Sequence, residues 1–339
     1  MQNKTSPILE VKELELTFSG DFGNTRYLQD VSFELYPGEV LGIVGESGSG
    51  KSITSLAIMG LLANNGKVTH GEILYRGQDL TKLSEDEMDE IRGKHISMIF
   101  QDAITGLNPV FTIGNQIREA VRAHSKMSKG EAEQKAVELL ERVGLPRAKG
   151  LLKRYPHTLS GGMRQRVMIA MAIASNPEIM IADEPTTALD VTVQAQIMAL
   201  LKSLAEERQT SIILITHDIG LIAQMADRIL VMYAGQIVEE APLRMIFEYP
   251  GHPYTMALQR SVPSITDDAD RKLRSIPGVV PPNYSEITGC RFYDRCEFAQ
   301  ESCRENVQKM LTLREGQKVR CERATRGDFK DMERLLDDV

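Results

Sequence analysis

Apolar residues recur along the first 250 positions in patterns that predict strands and helices. Alternation predicts half-buried strands over residues 8–18 and 31–35, and a continuous apolar run predicts a buried strand over 39–44. Further apolar runs fit a buried parallel sheet with helices between its strands, and they lie at 72–75, 95–100, 179–182 and 211–216. The pattern therefore predicts an α/β fold.

Helical periodicity appears between two of these predicted core strands. Residues 113–144 and 160–175 both repeat their apolar positions at helical spacing. We interpret them as part of an inserted helical subdomain at about 103–175. The simpler alternative is that the helices at 113–144 only cover an edge of the sheet.

The chain changes character near residue 250. Before that point, residues 229–239 predict a β-hairpin that turns at Ala234 and Gly235. After it, prolines become frequent and the cysteines follow. We place a domain boundary there, with one domain over residues 1–250 and a C-terminal extension over 251–339.

Composition and charge narrow the class of protein. The chain has 339 residues, 42% hydrophobic and 26% charged, which is ordinary for a globular protein. Its formal net charge of −7 argues against nucleic acid as a partner. No apolar run approaches the roughly 20 residues that span a bilayer, and no signal peptide is evident. We expect a cytoplasmic protein that reaches a membrane only by docking on another subunit.

A glycine-rich segment connects the predicted strand at 39–44 to an apolar helix. Its sequence, GESGSGKS, fits the phosphate-binding pattern G-x4-G-K-[ST], in which backbone N–H groups and a helix N-terminus face phosphate oxygens. Lys51 is expected to reach the β- and γ-phosphates, and Ser52 to bind Mg²⁺. The alternative is an ordinary glycine-rich turn before a helix. The predicted nucleotide-binding residues of this P-loop are Gly45, Ser47, Gly48, Ser49, Gly50, Lys51 and Ser52.

Two carboxylates follow the apolar strand at 179–182. Open α/β sheets bind ligands at the carboxyl ends of their strands, so Asp183 is expected to hold Mg²⁺ and Glu184 to act as general base on the attacking water. An apolar strand that ends in Asp-Glu is by itself usually structural. In combination with the upstream P-loop, it matches a Walker B strand.

A second candidate anion site occurs at residues 159–163, Leu-Ser-Gly-Gly-Met. Ser160 is placed to cap the following helix, and Gly161 and Gly162 leave backbone N–H groups open to an anion. The alternative is a helix with an ordinary serine cap. The segment is similar to the LSGGQ signature of ABC ATPases, with Met163 in place of the usual glutamine.

Residues 8–240 as a whole resemble ABC ATPases. The resemblance implies a RecA-like P-loop NTPase core, an antiparallel β subdomain and an inserted helical subdomain. It also implies that the signature at Ser160, Gly161 and Gly162 closes on ATP held by a sister ATPase. The expected cofactors are ATP and Mg²⁺, and the expected activity is ATP hydrolysis.

Further residues match the family's pattern one by one. Gln101, after Ile-Phe, resembles the Q-loop glutamine that contacts Mg²⁺ and water and senses the transport partner. Asp190, after Ala-Leu, resembles the D-loop aspartate that reaches across the dimer. His217 resembles the switch histidine at the γ-phosphate, although a lone histidine at a strand end is more often a loop or core residue. The resemblance therefore implies three catalytic residues, Glu184, Gln101 and His217.

The residue that stacks on adenine is less well defined. Phe18 resembles the aromatic residue that has this role in the family. Phe22 and Tyr27 are alternatives, because residues 19–27 add loop, and Phe18 is equally consistent with packing inside its strand.

Within the family, the chain resembles the ATPase subunits of bacterial dipeptide/oligopeptide permeases. The resemblance rests on Leu107-Asn108-Pro109 after the Q-loop, on His-Pro-Tyr-Thr at 252–255, and on the cysteine-rich region that begins Pro-Gly-Val-Val-Pro at 277–281. It implies a sister ATPase, two membrane permease subunits and a solute-binding protein as partners. The cargo is expected to be peptide, although nickel and other small solutes are alternatives. A soluble ABC ATPase of translation or DNA maintenance is the second candidate, and a module without turnover is the third.

All cysteines of the chain lie within its last fifty residues, at Cys290, Cys296, Cys303 and Cys321. In a reducing compartment such a cluster indicates metal binding before disulfides. Zinc sites usually show close C-x2–4-C pairs, and none occurs here, whereas wider spacing suits an iron–sulfur cluster. Some members of the peptide-permease family carry a 4Fe-4S cluster in this extension, which the resemblance implies here. Zinc, and free or disulfide-bonded cysteines, remain as alternatives.

Overall fold

A computed structural model describes residues 6–20, 23–102, 106–261 and 276–327. Within these ranges the β-strands, in chain order, are β1 (Leu9–Gly20), β2 (Gly23–Leu35), β3 (Val40–Val44), β4 (Gly66–Tyr75), β5 (Gln78–Asp79), β6 (Ile96–Ile99), β7 (Ile179–Asp183), β8 (Ser211–Thr216), β9 (Arg228–Tyr233), β10 (Gln236–Pro242), β11 (Leu311–Arg314) and β12 (Gln317–Val319).

The α-helices of the same ranges are α1 (Lys51–Ile58), α2 (Glu85–Ile91), α3 (Ile113–Ala123), α4 (Lys129–Arg142), α5 (Ala148–Leu151), α6 (Gly161–Ala172), α7 (Val191–Arg208), α8 (Ile219–Ile222), α9 (Leu243–Glu248), α10 (Pro253–Arg260), α11 (Glu301–Glu305) and α12 (Glu322–Thr325). None of the helices described is long and apolar enough to cross a membrane.

The central sheet has the strand order β11-β12-β10-β9-β3-β8-β7-β6. Strands β6, β7, β8, β3 and β9 pair in parallel, and β3, β7 and β8 are buried along their whole length. Burial on both faces explains why these strands appear in the sequence as continuous apolar runs. The predicted hairpin at 229–239 is present as β9 and β10, which pair antiparallel.

A second, antiparallel sheet has the order β2-β1-β4-β5. Its alternating apolar side chains pack with those of the central sheet in one buried cluster, which includes Leu14, Val31 and Ile73 from this sheet and Ile43 and Ile215 from the central one. Strands β2 and β4 begin earlier than predicted, because their first residues are mostly exposed and lack the apolar alternation on which the prediction depended.

Helices α3 to α6 form the inserted helical part. The predicted continuous helical stretch at 113–144 is two helices with a break between Ala123 and Lys129. Ser128 explains the break: its hydroxyl accepts from the Glu131 N–H, and the Glu131 carboxylate accepts from the Ser128 N–H. This capping box starts a new helix at that point.

The C-terminal extension continues the central sheet. Strand β12 pairs antiparallel with β10, and β11 pairs with β12. The buried Glu239 of β10 accepts hydrogen bonds from the Gly251 N–H, the His252 N–H and the Gln317 side chain at 2.7, 2.8 and 2.7 Å. The extension is therefore joined to the ATPase part through backbone pairing and a buried polar network.

Candidate functional site

The P-loop turns where only glycine fits. Gly45 has φ of 157°, and a Cβ there would lie 2.1 Å from the Met232 carbonyl oxygen. Gly50 has φ of 104° and precedes the first residue of α1, Lys51. The Lys51 ammonium is buried and donates to the carbonyls of Gly45 and Glu46 at 2.7 and 2.9 Å. Strand β3, the loop and α1 are therefore in the order that the sequence predicted.

Two of the three residues predicted to hold Mg²⁺, Ser52 and Asp183, lie side by side. Ser52 Oγ donates to Asp183 Oδ1 at 3.0 Å, which brings the start of α1 to the carboxyl end of β7. Burial raises the pKa of Asp183 to about 6, and burial lowers the pKa of Lys51. A buried carboxylate beside a hydroxyl provides oxygen ligands that suit a hard cation, and the buried ammonium group of Lys51 suits phosphate.

Glu184 is surrounded by hydrogen-bond donors from three segments. Its carboxylate accepts from Gln101 Nε2 at 2.9 Å and from Thr187 Oγ1 at 2.8 Å, and it lies 3.2 Å from His217 Nδ1. Burial would raise its pKa, but the hydrogen bonds from Thr187 and His217 outweigh burial and lower the pKa. Glu184 is therefore held as a carboxylate. Thr187 was not singled out from the sequence.

Glu184 and the three residues that contact it line one pocket, which we call the P-loop pocket, whereas Lys51, Ser52 and Asp183 are not among its lining residues. Sequence reasoning predicted its ATPase side but missed the contribution of the C-terminal extension. The motifs of the extension identified its family but did not indicate that its residues approach the P-loop. The pocket is lined by Glu46, Ser47, Gln101, Glu184, Thr187 and His217 from the ATPase part, and by Leu258, Ser261, Ile276, Gly278 and Arg295 from the extension.

The predicted signature residues do not line this pocket. Ser160 Oγ accepts from the Met163 N–H as the cap of α6, and Gly161 and Gly162 pack close to Leu189 and Val193. Asp190 likewise caps α7 by accepting from the Val193 N–H at 3.0 Å. The signature and the D-loop are thus adjacent to each other, and Ser160, Gly161, Gly162 and Asp190 are not among the residues that line the P-loop pocket of their own chain.

The aromatic residues considered for adenine lie at the end of the β1–β2 hairpin. The ring of Phe18 packs edge-on against Tyr27 with centroids 5.0 Å apart, and it closely approaches Gly66. Phe18 and Tyr27 are not among the residues that line the P-loop pocket. Phe22 lies outside the described residues.

The four cysteines come together in the extension. Cys290, Cys296, Cys303 and Cys321 line a single cavity, together with His252, Phe292 and Arg323 among others. Burial raises the pKa of Cys290 to about 12 and that of Cys296 to about 11. Nevertheless, within the described ranges no group of three or more His, Cys, Asp or Glu side chains is arranged to hold a metal ion. The predicted cluster is not supported by this arrangement.

The fold and the P-loop pocket together define an ATP-binding cassette of the P-loop class. Comparison with known proteins gives the family. Residues 28–187 match the family described as "ABC transporter", and residues 238–303 match "Oligopeptide/dipeptide transporter, C-terminal region". The chain belongs to the ATP-binding subunits of the oligopeptide/dipeptide ABC transporter family.

Individual relatives agree along nearly the whole chain. The oligopeptide transport ATP-binding protein AppD of Bacillus subtilis (strain 168) is 50% identical over 317 residues, which cover 93% of this chain and 96% of AppD. The dipeptide transport ATP-binding protein DppD of Escherichia coli (strain K12) is 47% identical over 314 residues, with the same coverage. A dimeric ATP-binding cassette in a post-hydrolysis state, bound to ADP and Pi, is 33% identical with a TM-score of 0.63; the match covers 70% of this chain and 99% of that one.

These findings confirm the predicted family, the ABC ATPase fold and the predicted ATPase class. The match of both parts of the chain to transporter families does not favour the alternative of a non-transport ABC ATPase.

Proposed function

We propose that this chain hydrolyses ATP to power the import of dipeptides or oligopeptides across a membrane. The observation that carries the ATPase part is the Glu184 carboxylate, held by Gln101, Thr187 and His217 beside the P-loop. The relatives named for oligopeptide and dipeptide transport, together with the matched C-terminal region, support peptide as the cargo.

The roles of the site residues follow from their chemistry. Ser52 and Asp183, with Gln101, would hold Mg²⁺, which supplies charge neutralisation at the phosphates. Lys51 and the N–H groups from Gly45 to Ser52 bind the phosphates. Glu184 accepts a proton from the attacking water, and His217 contacts the γ-phosphate. Phe18 remains the proposed adenine contact.

We further propose that the active form pairs with a sister ATPase beneath two permease subunits, on the cytoplasmic face of the membrane, and serves a solute-binding protein. The position of Ser160, Gly161 and Gly162 outside their own pocket supports their action on ATP bound by the sister, with Asp190 beside them. The dimeric state of the similar ATP-binding cassette supports the same arrangement. Gln101 and the helical subdomain, at about 103–175, are proposed to receive the permease.

For the extension over 251–339 we keep the proposal of a 4Fe-4S cluster on Cys290, Cys296, Cys303 and Cys321. It rests on the resemblance to the peptide-permease family and on the gathering of all four thiols around one cavity. Within the described residues, no group of side chains is arranged to hold a metal ion. Anaerobically purified protein should contain about four iron and four sulfide per chain. Protein that folds without iron would contradict the proposal.

The transport function is tested by purifying the tagged chain from membranes. We expect two permease subunits and a second, related ATPase to copurify in fixed ratio. Recovery of the chain with ribosomes or DNA, and without permeases, would contradict the proposal.

A further inference from the structure

The second residue of the P-loop, Glu46, is held by the C-terminal extension at two points. Its carboxylate forms a two-pronged ion pair with Arg295: Nη1 lies 2.9 Å from Oε2, and Nη2 lies 3.1 Å from Oε1. Its backbone N–H donates to the hydroxyl of Tyr254 at 2.9 Å. Residues 249 positions apart in the chain are thereby joined inside the nucleotide pocket.

Arg295 has little freedom to move. Its side chain is only 7% exposed, and its Nε donates to the Pro277 carbonyl at 2.7 Å. The guanidinium lies over the rings of Tyr233 and Phe292, with 5.7 and 6.0 Å to the ring centroids. A planar guanidinium that is fixed by stacking and by a carbonyl presents its two outer N–H groups in one direction, which is the geometry that binds a carboxylate with both oxygens.

The two aromatic rings beneath Arg295, those of Tyr233 and Phe292, pack with a third ring, that of Tyr254, and the three come from both parts of the chain. Tyr233 ends β9, Tyr254 lies in α10, and Phe292 lies between two of the cysteines. Their ring centroids are 4.7 to 5.3 Å apart, so the three rings pack on one another. Arg291 and Arg295 both lie between Cys290 and Cys296 in the sequence. Arg291 donates to the Ala234 carbonyl and to Gln29, and Arg295 faces Glu46.

The conformation of Glu46 matters to phosphate binding because its peptide group is part of the loop. The Glu46 carbonyl accepts from Lys51 Nζ at 2.9 Å and from the Ser49 N–H at 3.2 Å. Ser47, the next residue, lines the pocket. A contact that fixes the Glu46 side chain and N–H therefore also fixes the orientation of the groups that meet phosphate.

We propose that Arg295 is a positioning residue for the P-loop, which acts through Glu46 to hold the loop in its phosphate-binding conformation. The C-terminal extension then sets the affinity for nucleotide. Because coupling between two sites is reciprocal, bound ATP in turn stabilises the segment around Arg295. The inference rests on the proposed nucleotide site.

The test is a double-mutant cycle on the full-length chain, with the dissociation constant of a fluorescent ATP analogue as the readout. Arg295→Gln and Glu46→Gln should each weaken binding about tenfold, because each removes a charge-assisted pair. The double variant should bind no more weakly than either single variant. Arg295→Lys keeps the charge but loses the two-pronged geometry, so it should lie between wild type and Arg295→Gln.

A matched control is Glu297→Gln, which removes the ion pair between the exposed Glu297 carboxylate and Arg260 in the same extension, away from Glu46 and Arg295. It should bind ATP as wild type does. Hydrogen exchange provides a second readout: ATP should slow exchange over residues 290–296 in the wild type but not in Glu46→Gln.

The outcomes are distinguishable. If Arg295→Gln folds normally and binds ATP with unchanged affinity, the proposal is wrong. If the two single effects add in the double variant, Arg295 acts on nucleotide independently of Glu46, and the positioning role is again wrong. If Arg295→Gln does not fold, the other two variants test the proposal. Unchanged ATP affinity in both Arg295→Lys and Glu46→Gln, with the same slowing of hydrogen exchange by ATP in Glu46→Gln as in the wild type, would then show that it is wrong. Failure of the wild-type chain to bind ATP would refute the nucleotide site itself.

Discussion

Glu184 owes its position to contacts that come from three separate parts of the chain. Gln101 follows β6, Thr187 lies in the loop after β7, and His217 follows β8. Its backbone has φ of 45°, a left-handed conformation that costs a non-glycine residue of order 1–3 kcal/mol. Strain of this kind persists only where the surroundings hold the residue, and here they direct the carboxylate into the P-loop pocket.

The first prediction concerns this carboxylate. Glu184→Gln should keep ATP affinity within about twofold of wild type and should lower hydrolysis by about 10²–10⁴-fold, because only proton acceptance from water is lost. Single-turnover hydrolysis by the assembled complex measures the loss, and analogue binding measures the affinity. Thr187→Val is a useful comparison, since it removes one hydrogen bond to Glu184 and retains the carboxylate. Near-normal hydrolysis by the glutamine variant would show that Glu184 is not the general base.

At the scale of elements, the sequence predicted the buried strands well and the sheet extension not at all. Strands β3, β7 and β8 are buried on both faces, so their apolar runs carry a strong signal. Strand β11 is short and mostly exposed. It pairs only with β12, which in turn pairs with the edge of β10. Such pairing depends on tertiary contacts between distant segments, which a local pattern does not contain.

The candidate site likewise contains residues that local motifs predicted and contacts that the sequence did not predict. The P-loop, the Walker B carboxylates and His217 each lie at the end of a predicted strand, so a local motif marked each of them. The ion pair between Arg295 and Glu46 has no local signature, because it joins residues 249 positions apart. The gathering of the cysteines around one cavity was expected from their clustering in the sequence, whereas the arrangement of their side chains was not.

The second prediction concerns the N-terminus of α6. Gly161→Asp places a negative charge at the first residue of this helix, outside the P-loop pocket of its own chain. The isolated variant should bind ATP as wild type does, while hydrolysis by the assembled complex should fall at least about tenfold, because the carboxylate repels the phosphates held by the sister subunit.

Gly130→Asp serves as the control for the second prediction. Gly130 lies in the first turn of α4 in the same subdomain, and a side chain there meets no neighbour within 4 Å. Its hydrolysis should match that of the wild type. Equal activity of the Gly161→Asp and Gly130→Asp complexes would remove the support for action across a dimer.

At the scale of the whole molecule, the extension is bound to the ATPase part rather than appended to it. The extension continues the central sheet with β11 and β12, contributes residues to the P-loop pocket, and supplies donors to the buried Glu239. Burial raises the pKa of Glu239, so its carboxylate depends on these donors for compensation. A boundary at residue 250 marks a change of composition; the contacts across it indicate that the two parts are mechanically coupled.

The third prediction tests that coupling. Glu239→Ala leaves the buried N–H groups of Gly251 and His252 without their acceptor and removes one of the two acceptors of the Gln317 amide, so it should lower the free energy of unfolding by roughly 3 kcal/mol. Glu239→Gln keeps one acceptor oxygen and should cost less. Urea denaturation measures both, and limited proteolysis of the alanine variant should release the extension sooner than in wild type. Equal stability of all three proteins would contradict the role given to Glu239.

The central claim is that ATP hydrolysis by this chain drives peptide import. The most direct measurement is uptake of a radiolabelled dipeptide by proteoliposomes that contain the copurified complex, with ATP enclosed and the solute-binding protein outside. The account predicts accumulation of the dipeptide with wild-type complex, at least about a hundredfold slower uptake with Glu184→Gln, and no uptake of nickel. Dipeptide uptake that is equal for the two complexes, or transport of nickel in place of peptide, would contradict it.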